Sequence, residues 1–170
     1  MMKKLMGIAA LTALAVVGMA ADNSAWSNCK PGAWAKLKTT SETTVAGHTT
    51  NMTIETKMTL VAKTADKATV ETETTMMGNT TKTKADIPLK SDAKGAAQTT
   101  PVKMGSESIT VAGKTFKCKT AEVQSEANGM KTNTKSWMAD EVPGGIVKSV
   151  STSTGSMSSK VTMELVDFKQ

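Results

Sequence analysis

From Asn51 to Lys63 the chain alternates. Met52, Ile54, Met58, Leu60 and Ala62 share one face of an extended segment, and Asn51, Thr53, Glu55, Lys57 and Thr59 share the other. A period of two belongs to a β-strand with one face buried and one wet. The rhythm recurs along the chain. Ala33, Ala35 and Leu37 oppose Lys36 and Lys38 in a first strand over Ala33–Thr40; Val70 and Met76 align within Ala68–Met76; Ala85, Ile87 and Leu89 align within Thr81–Leu89. Turn signals separate these runs at Ala46-Gly47, Ala65-Asp66-Lys67, Gly78-Asn79, Ala112-Gly113-Lys114, Asn128-Gly129 and Gly155-Ser156. Asn-Gly in particular tolerates the positive φ of a two-residue hairpin turn.

Connections this short pair sequence neighbours antiparallel, about nine strands in all, ending in a hairpin of Ile146–Thr154 with Lys160–Phe168. Thr supplies about one residue in six, and Thr with Val suits a pleated, half-exposed surface. Helical pattern is nearly absent beyond one turn around Trp26, which Pro31-Gly32 ends. The fold class is therefore all-β. With no helical layer over its apolar face, a single meander sheet must curve strongly on itself, as a half-barrel or a barrel. Ser91–Pro101 has no periodicity and reads as a surface loop. Asp140-Glu141-Val-Pro143-Gly144-Gly145 reads as a rigid structural turn, in which Pro143 fixes φ and one of the two glycines takes a positive φ.

Lys3-Lys4, an apolar run over Leu5–Val17 and the small residues Ala20-Ala21 form a secretory signal peptide over residues 1–20, helical in its apolar part. Cleavage after Ala20 or Ala21 leaves one domain, 21–170, exported to the periplasm or secreted and not membrane-spanning. Without Lys3 and Lys4 the net charge falls from +6 to +4, and every base is Lys. Lacking Arg and rich aromatic platforms, the chain is a poor fit for nucleic acid.

No catalytic residue, metal site or cofactor site emerges. His48 is the single histidine and stands among Thr residues without partners at ligand spacing. Glu71 and Glu73 share a face with Lys and Thr around them, a solvated arrangement. Cys29 and Cys118 are the two cysteines of an exported chain, which favours a disulfide closing a loop of nearly ninety residues. Such a bond contributes on the order of 4 kcal/mol. The alternative is two buried free thiols.

Met fills much of the place of larger aliphatics, and flexible thioethers adapt to varied apolar shapes. Met52, Ile54, Met58, Leu60, Val70 and Met76 are thus the candidate ligand-binding residues of a non-enzymatic module, for a lipid or other apolar ligand on the concave face. The alternative is a structural or envelope-interaction protein with a filled core, its partner another envelope protein.

Cys29-Lys-Pro-Gly-Ala-Trp34 with Lys36 and Lys38, Val111-Ala-Gly-Lys-Thr-Phe-Lys-Cys118, and the block from Trp137 to Lys148 resemble small exported proteins of unknown function from planctomycete-type bacteria. More distantly, the hairpin ending at Cys118 followed by the Trp137 strand is similar to periplasmic domains of the LolA/LolB lipoprotein-carrier kind. That resemblance implies a curved antiparallel sheet with an apolar concavity and brings no catalytic residues. The chain departs from those carriers in lacking helices that plug the concavity.

Overall fold

The computed structural model describes residues 24–89, 102–127 and 129–170. The signal peptide, its cleavage site, the loop Ser91–Pro101 and Asn128 lie outside the described residues. After a single turn of helix, α1 (Ser24–Ser27), come nine strands: β1 (Trp34–Val45), β2 (His48–Lys63), β3 (Lys67–Met76), β4 (Asn79–Pro88), β5 (Val102–Val111), β6 (Lys114–Ala127), β7 (Met130–Met138), β8 (Ile146–Thr154) and β9 (Ser158–Lys169). They form one sheet in the order β4-β3-β2-β1-β9-β8-β7-β6-β5, antiparallel at every junction. The first and last strands meet at its centre, from Trp34 opposite Lys169 to Thr44 opposite Ser158. The edges are β4 and β5. In an antiparallel run of nine the two edge strands point the same way, so they cannot close the sheet by antiparallel pairing. Of the half-barrel and the barrel, the open form is the one observed.

The hairpin tips follow the φ requirement. Ala46 and Gly47, Met77 and Gly78, and Ala112 and Gly113 all have positive φ, the pattern of a two-residue turn matched to strand twist. The β3–β4 turn is Met77-Gly78, one residue earlier than Gly78-Asn79, because Asn79 already pairs with Met76.

Three bulges bend one end of the sheet. The register shifts between Lys36 and Leu37 on β1, Leu60 and Ala62 on β2, and Trp137 and Met138 on β7. The residues left out of the ladder are Val166, Val61 and Val147. A bulge kinks its strand and adds right-handed twist, so curvature concentrates at this end. The β2 bulge also moves Ala62 off the apolar face, and it is exposed. Past the last β6–β7 rung, Lys119 opposite Met138, the β5–β6 hairpin continues alone and brings the Phe116 ring within 5.9 Å of Phe168 on β9. A flat sheet would hold β6 and β9 about 14 Å apart. The sheet therefore curls.

Two short segments plug the curled end. In the β7–β8 connection, Val142 and Pro143 are fully buried and Ala139 is nearly so, and Val142 and Ala139 pack with Ala35, Leu37, Phe116, Cys118, Val147 and Leu165. Backbone bonds from Ala139 N–H to Gly145 O (2.9 Å) and Gly145 N–H to Val142 O (2.7 Å) tie the two ends of this connection together. From the other side, α1 lays Trp26 over Leu60, Ala68 and Val70, with Cys29 and Ala33. A four-residue helix has no intrinsic stability. It is held by that tryptophan and by Lys63, whose Nζ donates to the carbonyls of Ser27 (2.8 Å) and Cys29 (2.6 Å).

Gly144 and Gly145 both have positive φ, 79° and 78°, where one was expected. Both face α1. A Cβ on Gly144 would lie 3.2 Å from the Trp26 ring and from the Met58 methyl, and a Cβ on Gly145 would lie 3.1 Å from the Ala25 methyl. The two plug segments fit together because these residues have no side chain.

The expected disulfide does not form. Cys29 belongs to the Trp26 cluster and Cys118 to the Phe116 cluster, and both are free, buried thiols. The Cys29 thiol donates to the Ala25 carbonyl at 3.1 Å, and Cys118 has the Phe116 carbonyl at 3.9 Å. Compartment and count favoured a bond, but the fold puts the two sulfurs in different halves of the core.

Candidate functional site

Between the plug and the hairpin tips, ladder registers assign the strand residues to one face or the other. Taking Leu37 as inward, the chain of partners runs through Leu165, Met163 and Ser149 to Ser136 and Ala121 on one side, and through Thr56 and Thr74 to Thr81 on the other. Between the plug and the hairpin tips, the inner positions of all nine strands carry only Thr, Ser, Met, Val, Ile, Ala or Asn. Not one is charged. Lys119 stands at the rung where the plug begins and pairs with Asp140 at 3.0 Å. His48 stands at the exposed tip of the β1–β2 hairpin.

The charges lie on the outer face and largely neutralise one another across strands. Lys36 pairs with Glu55 (2.8 Å), Lys82 with Glu73 (2.7 Å), Lys84 with Glu71 (3.3 Å), Lys67 with Asp86 (2.7 Å) and Lys148 with Glu164 (2.6 Å). Exposed pairs of this kind contribute about 0–1 kcal/mol each, so they set which face is wet more than they set stability. Glu107 accepts from Lys135 and from Trp137 Nε1 at 2.8 Å, and these two bonds hold its carboxyl below the usual range. Glu71 and Glu73 are solvated ion-pair partners.

The six apolar residues singled out by sequence divide into two groups. Leu60 and Val70 are buried beneath Trp26, and Met58 packs against both clusters. These three are core. The helical turn and the β7–β8 connection cover them, so the open concavity begins further along the strands. Met52, at 39% exposure, and Met76, at 42%, remain open, with half-buried Ile54 between them on the opposing rung. Met163 and Val161 of β9 continue this apolar strip across β1, where Thr39 and Ser41 are their partners.

Beyond β9 the inner face changes character, a feature the apolar pattern alone did not reveal. Thr132, Thr134 and Ser136 of β7 stand opposite Ser153, Ser151 and Ser149 of β8. Their hydroxyls form three cross-strand hydrogen bonds of 2.9, 3.0 and 3.0 Å, all part-buried. The sequence signal is a hydroxyl residue at every second position on both sides of the Asp140–Gly145 turn. The trough thus has a Met/Ile/Val cluster from β2, β3 and β9, with Thr39 and Ser41 of β1 between its halves, and a hydroxyl strip over β7 and β8.

Asp140 and Glu141 are exposed and pair with Lys119 and Lys114, the latter at 3.7 Å. Among the described residues no group of three or more His, Cys, Asp or Glu is placed to hold a metal ion. Burial pushes both thiols up, Lys63 opposing this at Cys29 and the carboxylates of Glu141 and Glu107 adding to it at Cys118. Neither is an activated nucleophile. No helix among the described residues is long and apolar enough to cross a membrane.

No family model and no curated protein matches the chain. Two solved structures do. An outer membrane lipoprotein-sorting protein domain from Vibrio parahaemolyticus aligns over 88% of this chain and 89% of its own, with 8% identity and a TM-score of 0.28. A LolA superfamily protein from Nitrosomonas europaea aligns over 87% and 90%, with 6% identity and a TM-score of 0.22. The similarity to the LolA superfamily is distant. TM-scores below 0.5 leave the functional argument to the geometry of this sheet.

Proposed function

We propose that this protein is an exported, non-enzymatic binding module that holds an apolar ligand in the open half of its curved sheet. The observation that carries the reading is the separation of faces: between the plug and the hairpin tips the inner positions of the nine strands carry no charge, while Met52, Ile54, Met76, Val161 and Met163 lie among them. An apolar molecule can leave water for such a face without desolvating an ion, and it gains the contact of the exposed Met and Ile side chains. Methionine adapts to chains of differing shape. The plug closes one end and supplies the rigid floor against which the trough stays open.

Mass spectrometry of protein purified gently from its native envelope tests this. A co-purifying organic ligand, released on denaturation and replaced by the neutral dye Nile red, is the expected result. Bare polypeptide in every preparation, together with no saturable Nile red binding, refutes it and leaves a structural protein of the envelope.

A further inference from the structure

The paired hydroxyls narrow the ligand class, on the footing of the binding reading above. In each of the pairs Thr132–Ser153, Thr134–Ser151 and Ser136–Ser149 one hydroxyl donates to the other, so the second keeps a hydrogen to donate. Among the described residues these six have no other side-chain partner. A half-buried hydroxyl hydrogen of this kind turns to water when no other acceptor meets it. A plain hydrocarbon laid across β7 and β8 would strip that water and leave three donors without acceptors, each such loss weakening binding roughly tenfold.

The occupant must therefore offer oxygen acceptors to β7 and β8 while presenting alkyl surface to the apolar side chains of β2 and β9. It must also be uncharged where it touches. No lysine among the inner positions is available to match a phosphate or carboxylate, and burying an unmatched ionised group is far costlier than burying a hydroxyl. We infer that the trough takes an uncharged amphiphile: one alkyl chain on the Met52–Ile54–Met163 strip, and hydroxyl or ester oxygens on the Thr134–Ser151 ladder.

Displacement of Nile red by 1-monododecanoylglycerol and by dodecanoate at pH 8 reads the preference, since both carry the same chain and differ in the head. The neutral glyceride should displace the dye at least tenfold more tightly. Thr134→Val combined with Ser151→Ala removes both partners of one pair while keeping its volume, a nearly neutral change for stability. That double variant should keep the wild-type melting temperature and bind the glyceride about tenfold more weakly than the wild type does. Ser136→Ala with Ser149→Ala makes the same test if the first variant fails to fold. Equal displacement by the two heads, tighter dodecanoate binding, or an unchanged glyceride affinity in both double variants overturns the inference while the binding function stands. Absence of Nile red binding by the wild type removes the function itself.

Discussion

Gly144→Ala tests how the plug is built. At φ +79° any Cβ adds left-handed strain of about 1 kcal/mol. The new methyl would also meet the Trp26 ring and the Met58 methyl at 3.2 Å, closer than ordinary contact, so α1 or Met58 must move by a few tenths of an ångström. Overpacking of this kind costs about 1 to 3 kcal/mol more. Gly113→Ala provides the control. Its φ is +73°, but a Cβ there meets nothing within 4 Å, so it carries the strain alone. For a domain of this size 1 kcal/mol moves Tm by roughly 3 °C, which predicts a loss of about 3 °C for Gly113→Ala and about 6 to 12 °C for Gly144→Ala. Thermal melts followed by circular dichroism measure both. Equal losses at the two positions would show that Trp26 does not pack on the β7–β8 connection, and the account of the plug would fail.

Other outcomes follow from the same structure. Ala112 and Met77 have φ of 52° and 50°, a region that Asn enters more readily, so Ala112→Asn and Met77→Asn should each raise stability by several tenths of a kcal/mol; a loss in chemical denaturation at either site would contradict the turn geometry. Both cysteines should react with a thiol reagent in denaturant without reductant and resist it in the native protein, whereas absence of reactive thiol in denaturant would restore the disulfide. Hydrogen bonds from lysines lower the carboxyl groups of Glu55, Glu73, Asp86 and Glu107 in the folded state. Their contribution is complete above the unfolded carboxylate range, near about pH 4.3, and is lost as pH falls through the lower folded values, so stability should decline on the acid side and Glu107→Gln should flatten that decline. An acid limb identical in Glu107→Gln and wild type would show that its bonds to Lys135 and Trp137 contribute nothing.

The strands were legible because their signal is local. A period of two and, at most tips, a Gly are both written within a dozen residues, and β8 with its turn at Gly155 follows that pattern. The pairing of β1 with β9 was not legible, because no turn joins them and the register rests on contacts across the whole chain. It makes β4 and β5 the edges. The bulge after Leu60 likewise has no turn residue to announce it, so Ala62 was placed on the wrong face. Half of the candidate site failed for a related reason: alternation says that Met58, Leu60 and Val70 point inward, but not that Trp26 and Val142 cover them. The disulfide was inferred from redox chemistry without any distance. The hydroxyl ladder was present in the sequence as Ser and Thr at alternate positions, yet only the β7–β8 register turns those residues into pairs.

The central claim is that one face of the sheet binds and the other does not. Thr53 and Ile54 are adjacent in β2 and point to opposite faces, with Thr40 and Thr39 as their partners on β1. Nile red titration of Thr53→Lys and Ile54→Lys, both checked for native melting, separates the faces by a single residue step. Thr53→Lys should bind with the wild-type affinity, and Ile54→Lys should bind at least tenfold more weakly, because the lysine puts a charge into a trough that has none. Equal binding by the two variants would contradict the claim.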